Sequence, residues 1–257
     1  MHVDWSQKVV FITGASSGIG QALAIELGRR GASLGLLARR AEVLRQTVVE
    51  VEEAGGRVMA LPGDVKDALV VRAAADQLRE RFGRIDVLIA NAGIGPTTDG
   101  AQLSASDFAD VINVNVIGAA NSVAAVVPEM VARGEGQLVA ISSLAAYRGL
   151  PKSGAYCASK AAVSAFFESL RLDLSGKGVD VTIIHPGFIK TPLTEGRHAQ
   201  LPFLMELNSA TQKIIHAIES RRKSYAFPWQ LASIVRFGML LPISLYDRIA
   251  MKNSFRE

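Results

Sequence analysis

A tyrosine and a lysine four positions apart, Tyr156 and Lys160, are the residues whose types and spacing best suit proton transfer. Residues four apart on a helix share one face, so these two side chains can reach each other. The phenol of free tyrosine has a pKa of about 10, and a neighbouring ammonium group lowers that pKa by favouring the phenolate. Such a tyrosine can exchange a proton near neutral pH, although the pair alone is common in proteins.

Two further polar residues, Ser143 and Asn115, precede this pair in the sequence. Ser143 directly follows an apolar run, residues 137–142, that predicts a buried strand. Ligands of parallel α/β sheets bind at the carboxyl ends of strands, so Ser143 and the start of the Tyr156 helix should meet in one crevice. Asn115 falls within a predicted helical region, where an amide side chain normally faces solvent.

A glycine-rich segment (residues 13–20, the glycine loop) joins the first predicted strand to the first predicted helix. Its pattern, Gly-x3-Gly-x-Gly, permits a tight turn and lets the backbone approach a pyrophosphate. The helix that follows supplies N–H groups and the positive end of its dipole. The loop therefore predicts a dinucleotide site, with a simple turn as the alternative. Its residues are Thr13, Gly14, Ala15, Ser16, Ser17, Gly18, Ile19 and Gly20.

The end of the second predicted strand, residues 33–38, indicates which dinucleotide is bound. NAD-binding proteins usually place a carboxylate about 20 residues beyond the glycines. Here Ala38 is followed by Arg39 and Arg40 instead. Arginine suits the 2′-phosphate of NADP through charge and bidentate contact. The sequence predicts NADP(H), with Arg39 as the main phosphate ligand; the alternative is that both arginines are merely solvated.

Apolar runs and helical periods alternate along the chain, which indicates βαβ units and a parallel sheet. Because the strands are continuous apolar runs, helices should cover both faces. We therefore predict an α/β fold, a Rossmann-like doubly wound parallel sheet of about seven strands, with Pro128 bending or breaking one long helix. The predicted strands are 8–13, 33–38, 57–61, 85–90, 137–142, 179–185 and 224–227, and the predicted helices are 18–30, 42–54, 67–82, 104–133, 156–175 and 208–220.

In order and spacing, these residues resemble the main branch of the short-chain dehydrogenase/reductase family. The resemblance extends to about residue 228. Each motif is modest alone, but their combination is specific. The frequent Asn-Asn-Ala-Gly of the family is Ala-Asn-Ala-Gly here, a minor departure. The matching positions are Thr13 to Gly20, Asp64 within Gly63-Asp64-Val65, Asn91-Ala92-Gly93, Asn115, Ser143, Tyr156, Lys160 and Pro186-Gly187.

The resemblance implies a role for each residue of the catalytic set. Tyr156 would be the general acid/base, and Lys160 would lower its pKa and bind the nicotinamide ribose. Ser143 would donate a hydrogen bond to the substrate oxygen and stabilise the charge that develops there. Asn115 would hold a water that relays protons through Lys160.

The resemblance also implies the cofactor contacts. Asp64 and Val65 would contact the adenine, Asn91 would support the adenosine side, and Ile189 and Thr191 would contact the nicotinamide amide. The Ala-Arg ending of the second strand is similar to that of the NADP-preferring members. The predicted cofactor-binding residues are Gly14, Ser16, Ser17, Gly18, Ile19, Gly20, Arg39, Arg40, Asp64, Val65, Asn91, Ala92, Gly93, Tyr156, Lys160, Pro186, Gly187, Ile189 and Thr191.

These assignments imply an NADP(H)-dependent oxidoreductase that transfers a hydride between the nicotinamide and a carbonyl or secondary alcohol. A non-catalytic NADP(H)-binding sensor or scaffold is one alternative, and an epimerase working through a ketone is another. A net change in NADPH distinguishes the oxidoreductase from both. The long loop at 187–208 carries leucines and phenylalanines, so a lipophilic substrate is favoured if this loop caps the crevice.

We predict a single domain, in which residues 1–228 form the dinucleotide-binding and catalytic part and residues 229–257, beyond the family resemblance, form an apolar extension. The extension carries more apolar surface than a terminal tail normally exposes. Three interpretations stay open: it covers the substrate site, it contacts another subunit, or it lies in a membrane interface. The last would use Trp229, Arg236, Arg248 and Lys252 as anchors.

Composition limits the remaining possibilities. The 257 residues are 49% hydrophobic and 20% charged, with a net charge of +4, as expected of a globular protein. The single cysteine, Cys157, excludes an internal disulfide and fits the cytoplasm. The histidines show no metal-ligand spacing, and the basic clusters lack the interleaved aromatics of nucleic-acid binders. We expect no membrane-spanning helix, and a homodimer or homotetramer formed through helices 104–133 and 156–175.

Overall fold

Seven strands form one parallel sheet in the computed structural model, which describes residues 3–195 and 201–252. The strands are β1 (Val9–Thr13), β2 (Ser33–Ala38), β3 (Arg57–Pro62), β4 (Val87–Ala90), β5 (Gly136–Ile141), β6 (Val179–Pro186) and β7 (Ser224–Phe227). Their spatial order is β3-β2-β1-β4-β5-β6-β7. The order reverses direction between β1 and β4, so the predicted doubly wound parallel sheet is confirmed.

Helices cover both faces of the sheet. They are α1 (Gly18–Arg29), α2 (Ala41–Glu53), α3 (Ala68–Phe82), α4 (Ala105–Ile112), α5 (Gly118–Arg133), α6 (Gly154–Asp173), α7 (Leu207–Glu219), α8 (Trp229–Leu240) and α9 (Ile243–Lys252). One core lies between the sheet and α3, α5 and α6, and the other between the sheet and α1, α2 and α7. Alternate residues of β1 point into the two cores, with Val9 and Phe11 in one and Val10 and Ile12 in the other.

The predicted helix 104–133 is interrupted, but not where the sequence indicated. The break is a π-helical turn, Asn113–Ile117, between α4 and α5, whereas Pro128 lies inside an unbroken α5. The helix therefore continues through Pro128, and the prediction of a break there was wrong. The carbonyl that loses its hydrogen-bond donor to Pro128 belongs to Ala124, which is exposed, so water can replace the missing bond.

Within the described residues, one helical run is long and apolar enough to cross a membrane by length and composition. It is Ala105–Arg133, with a mean hydropathy of 1.6 over its most apolar stretch. Half of that stretch is buried in the protein, where α5 packs against α3 and β4. Core packing accounts for the apolar character of this run.

The C-terminal helix pair, α8 and α9, is attached less firmly than the other helices. In α8 the buried side chains are Leu231 and Ala232, which pack near Leu144 after β5. Within the described length of α9, no side chain is buried. Large apolar side chains are exposed along both helices, including Trp229 at 73% and Leu240 at 80%.

Candidate active site

A cavity of about 1420 Å³ lies along the carboxyl ends of the central strands. It brings together most of the sequence-predicted site residues. Gly20, Asp64 and Asn115 do not line it, but each lies against a residue that does: Gly20 against Gly14, Asp64 beside Arg39 and Asn115 beside Gly93. The predicted residues on its surface are Gly14, Ser16, Ser17, Gly18, Ile19, Arg39, Arg40, Val65, Asn91, Ala92, Gly93, Ser143, Tyr156, Lys160, Pro186, Gly187, Ile189 and Thr191.

The glycine loop is fixed to the end of β4 by side-chain hydrogen bonds. The Asn91 amide donates to the carbonyls of Thr13 at 3.0 Å and Gly14 at 3.1 Å. In return, the Thr13 hydroxyl accepts the backbone N–H groups of Asn91 and Ala92. Gly14 has a φ of +66°, and a side chain at Gly20 would collide with the Asn91 amide. The contacts explain why glycines occupy both positions.

The residues at this end of the cavity fit a phosphate-bearing dinucleotide. Helix α1 begins at Gly18, and the Ser17 side chain makes no capping bond to its first N–H groups. Those groups and the positive end of the helix dipole therefore face the loop. Arg40 Nη2 donates to Ser17 Oγ at 3.1 Å, which places one guanidinium at the loop.

Arg39 lies at the rim of the same region. Its half-exposed guanidinium is 3.9 Å from the Asp64 carboxylate, a separation that leaves room for a second anionic partner. Asp64 is also held in place, since its other oxygen accepts the Lys66 N–H at 3.0 Å. The neighbouring Val65 is buried, and its carbonyl accepts the Asn121 amide at 2.9 Å. The rim of the cavity thus carries the Arg39 guanidinium beside the ordered turn that contains Asp64 and Val65.

Lys160 is buried beside the ring of Tyr156. The Lys160 Nζ donates to the Ile141 carbonyl at the end of β5 at 2.8 Å and lies 5.7 Å from the centroid of the Tyr156 ring. Burial lowers the pKa of Lys160 to about 8. Tyr156 is half-buried at the first turn of α6, so its ring faces the cavity next to an ordered amine.

Asn115 is buried within the π-helical turn rather than facing solvent. Its amide nitrogen donates to the Ile94 carbonyl at 2.9 Å and to the Ser159 hydroxyl at 2.8 Å. Its amide oxygen accepts the Ile94 N–H at 2.8 Å. These bonds tie the π-helical turn to the loop after β4 and to α6, one residue from Lys160. The π-helical turn thus positions the Asn115 amide, and the hydrogen bonds of that amide hold the turn in place.

Ser143 lies two residues after the end of β5 and lines the same cavity as Tyr156. Its hydroxyl accepts the Ala145 N–H at 3.1 Å, which leaves the hydroxyl proton available to another acceptor. Its carbonyl is 3.4 Å from Nδ1 of His185, a buried residue whose pKa is lowered mainly by that burial. The hydroxyl is therefore held on an ordered turn.

The opposite wall comes from the segment after β6. The Gly187 N–H donates to the Phe227 carbonyl at 2.7 Å, and the Thr191 N–H donates to the Thr194 hydroxyl at 3.1 Å. Within residues 187–195, the predicted long loop is therefore held by hydrogen bonds to β7 and within itself. Apolar residues of this loop and of the C-terminal helix pair complete the cavity; they are Phe188, Ile189, Leu193, Phe203, Leu231, Ile234, Val235, Phe237, Leu241, Leu245 and Ile249.

Two residues of the cavity wall, Arg148 and Tyr246, were missed by the sequence analysis. The Arg148 guanidinium stacks on the Tyr246 ring at 3.7 Å from its centroid, and both line the cavity. They are almost 100 positions apart and belong to no motif. Nothing in the sequence marks Arg148 as a cavity residue, and Tyr246 is marked only by the high apolar content of the extension around it.

No cluster of three His, Cys, Asp or Glu side chains suited to a metal ion occurs among residues 3–195 and 201–252. Of the four histidines considered above, His2 and His198 lie outside these ranges. Cys157, next to Tyr156 in sequence, is a buried residue of α6.

Comparison with known proteins agrees with the geometry. The family model for short chain dehydrogenases matches residues 8–202. An uncharacterized oxidoreductase of Myxococcus xanthus is 41% identical over 97% of this chain and 98% of its own. A 3beta-hydroxysteroid dehydrogenase of Mediterraneibacter gnavus is 35% identical over 77% of this chain and 71% of its own length.

A solved structure agrees along nearly the entire chain. It is a short chain dehydrogenase/reductase from Burkholderia phymatum in complex with NAD. It is 27% identical, covers 99% of this chain and 98% of its own, and superposes with a TM-score of 0.81. The resemblance found in the sequence motifs therefore extends to the three-dimensional arrangement of the elements.

Proposed function

The chain belongs to the short-chain dehydrogenase family, and from that premise we propose that it is an NADP(H)-dependent oxidoreductase acting on a carbonyl or secondary alcohol. One observation carries the proposal. A single cavity has a glycine loop with two arginines at one end and a tyrosine beside a buried lysine at the other. A cofactor held at the first end could extend to the second.

Tyr156 is the proposed general acid in the direction of reduction. When bound, the nicotinamide cofactor supplies the hydride for the carbonyl carbon. The Tyr156 hydroxyl donates its proton to the oxygen as negative charge develops there, while the Ser143 hydroxyl donates a hydrogen bond to the same oxygen. Oxidation of an alcohol reverses both steps, with Tyr156 as the base.

Lys160 and Asn115 support that proton transfer in our proposal. Lys160 is anchored through the Ile141 carbonyl, so its amine stays next to the Tyr156 ring and can stabilise a phenolate. The Asn115 side chain is occupied by Ile94 and Ser159. We therefore assign the relay water to the backbone of the π-helical turn rather than to the Asn115 side chain; Gly93 lies beside both Asn115 and the Lys160 amine.

The preference for NADP(H) rests on Arg39 and Arg40 at the end of β2. Arg40 is held against the glycine loop, and the half-exposed Arg39 is free to turn toward a 2′-phosphate. We expect Arg39→Gln to lower kcat/KM with NADPH about tenfold, because a charge-assisted hydrogen bond is lost, and to leave kcat/KM with NADH unchanged. Arg45→Gln, which removes an exposed cation on α2 outside the cavity, is the matched control. Equal losses with both cofactors would contradict the NADP assignment.

The proposed substrate is lipophilic. The part of the cavity beyond Tyr156 is walled by leucine, isoleucine and phenylalanine side chains of the 187–208 loop and of the C-terminal helix pair. One relative is a 3beta-hydroxysteroid dehydrogenase, a name that indicates an apolar alcohol as its substrate. Burial of apolar substrate surface against this wall would contribute binding energy in proportion to its area.

A screen of ketones and secondary alcohols with NADPH, NADH and their oxidised forms tests the proposal. Following the absorbance of the reduced cofactor, we expect turnover of long or cyclic apolar ketones with NADPH. Turnover confined to small polar substrates would overturn the substrate class. Tight NADPH binding with no net oxidation by any member of the panel would favour a sensor or an epimerase instead.

The proposed setting is a homo-oligomer in the cytoplasm, consistent with a chain whose one cysteine is an unbridged thiol. For the exposed apolar side chains of the C-terminal helix pair we propose contact with a second copy of the chain. Detergent-free gel filtration together with liposome flotation tests this contact. A monomer that floats with vesicles would instead support the membrane interface.

A further inference from the structure

Arg148 connects the catalytic loop to the C-terminal helix pair. It lies between Ser143 and Tyr156 in sequence, on the loop that leads from β5 to α6. Its Nη1 donates to the carbonyl of Gly238 and, at 3.3 Å, to that of Leu241, at the end of α8. Its guanidinium also stacks on the ring of Tyr246 in α9. One side chain thus contacts both helices near their junction.

Tyr246, in turn, contacts the loop that carries Arg148. Its hydroxyl donates to the carbonyl of Gly149, the residue after Arg148. Burial raises the pKa of Tyr246, so the hydroxyl stays protonated and remains a donor at neutral pH. We call this pair of reciprocal contacts, Arg148 to α8 and α9 and Tyr246 to the catalytic loop, the Arg148–Tyr246 clasp.

The C-terminal end of α8 favours a cation at this place. The last turn of a helix presents carbonyls and the negative end of the dipole, which Lys or Arg commonly neutralises. In α8, all of whose residues are described, the last turn contains no basic residue. Arg148 supplies this cation from the loop between β5 and α6. Its hydrogen bonds to the last carbonyls of α8 therefore connect that loop to the C-terminal helix pair.

Apolar packing contributes little to the position of the same helices. The buried side chains of α8 lie in its first turn, and none is buried in the described length of α9. Phe237 of α8, Leu245 of α9 and Leu241 between them nevertheless line the cavity, and we call this apolar surface its far wall. The Arg148–Tyr246 clasp therefore contributes more than apolar packing to the position of the far wall.

We propose that Arg148 is a positioning residue that determines substrate specificity by holding α8 and α9 as the far wall of the cavity. The inference rests on the proposed function and extends it. A substrate that ends near Tyr156 does not reach the wall and is unaffected by it. A long apolar substrate contacts the wall, so its binding depends on the clasp.

The test compares substrates of two lengths in three variants. Arg148→Met keeps an apolar stem but loses the charge, and Tyr246→Phe keeps the ring but loses the hydroxyl. Arg81→Met, which removes a cation stacked on Phe82 of α3 far from the cavity, is the matched control. For each we would measure kcat and KM with acetone, with a long-chain methyl ketone and with NADPH, and hydrogen exchange of residues 237–250.

For Arg148→Met we expect the KM of the long ketone to rise about tenfold, with the KM for acetone and NADPH unchanged. Exchange in 237–250 should quicken, Tyr246→Phe should show a smaller effect of the same kind, and Arg81→Met should show none. Equal changes for both ketones, or unchanged exchange, would overturn the inference. If the wild-type protein reduces no ketone, the proposed function fails, and hydrogen exchange alone still decides whether Arg148 positions the helices.

Discussion

The crevice at the carboxyl ends of β4 and β5 and the C-terminal helix pair form two walls of the same cavity but are built in opposite ways. At the crevice, Lys160 and Asn115 are buried, and their polar atoms bond to partners at 2.8–2.9 Å. In the helix pair, large apolar side chains are exposed, and α9 buries none within its described length.

This contrast suggests that the crevice carries out the proton transfer, whereas the C-terminal helix pair determines which substrates bind. Proton transfer requires donor and acceptor to be held at hydrogen-bonding distance, about 2.6–3.2 Å, and buried hydrogen-bonded groups can provide that precision. Recognition of an apolar substrate tolerates a wall that shifts or differs between related proteins. The match to the family model ends at residue 202, before α7, β7 and both C-terminal helices.

The largest effect expected at the crevice is that of Tyr156→Phe. Loss of a general acid typically costs about 10²–10⁴-fold in rate, and the loss should be the same for short and long substrates because the wall is untouched. NADPH affinity should not change. Steady-state rates and fluorescence titration of NADPH measure both, with Tyr225→Phe, a half-buried tyrosine outside the cavity, as control. Near-normal turnover in Tyr156→Phe would remove Tyr156 from the mechanism.

Burial of Lys160 should make stability depend on pH. The pKa of Lys160 is about 8 in the folded chain and 10.5 unfolded, so the folded state binds fewer protons between these values. The free energy of unfolding should therefore rise with pH from about 8 to 10.5, by at most about 3 kcal/mol from this group.

Urea unfolding of the wild type and of Lys160→Met at several pH values isolates that contribution. The difference in unfolding free energy between the two proteins should change in favour of the wild type as the pH rises through this window. A difference that stays constant with pH would show that Lys160 is not desolvated in the folded protein.

Asn115→Ala should destabilise the crevice itself. The substitution leaves the Ile94 N–H and carbonyl and the Ser159 hydroxyl without their present partner. We expect a loss of about 2 kcal/mol in unfolding free energy, because part-buried polar groups lose hydrogen bonds. Urea titration monitored by tryptophan fluorescence measures it, and an unchanged midpoint would mean that the π-helical turn does not need the amide.

Deletion of residues 243–257, which removes α9, should have the smallest effect on stability. Since α9 buries no described side chain, the loss should be smaller than that of Asn115→Ala. The KM of a long apolar ketone should still rise, because the far wall loses Leu245 and Ile249. A deletion that unfolds the protein would show that the two walls are not independent.

The sequence predicted the sheet well because buried parallel strands are continuous apolar runs. Residues 33–38 and 224–227 are strands with the predicted bounds, and the other strands differ by one or two residues at an end. The glycine loop, Ser143, Tyr156 and Lys160 were placed in one crevice from topology alone, since strand ends converge in such a sheet. The roles of these residues remain predictions.

The rest depends on contacts between distant parts of the chain. The π-helical turn at Asn113–Ile117 is held by hydrogen bonds to Ile94 and to α6. The hydrophobic periodicity of the surrounding sequence therefore does not predict it. The Arg148–Tyr246 clasp joins positions almost 100 apart, and Arg148 resembles any surface arginine in the sequence. Local propensity carries no information about such pairs.

The most direct test of the central claim follows the hydride itself. An apolar ketone from the screen is incubated with the protein and NADPH carrying deuterium at the transferable position of nicotinamide C4, and the alcohol is analysed by mass spectrometry. We predict that wild-type protein yields an alcohol with one deuterium at the former carbonyl carbon, and that Tyr156→Phe yields almost none. Unlabelled alcohol, or equal labelled product from Tyr156→Phe, would contradict the account.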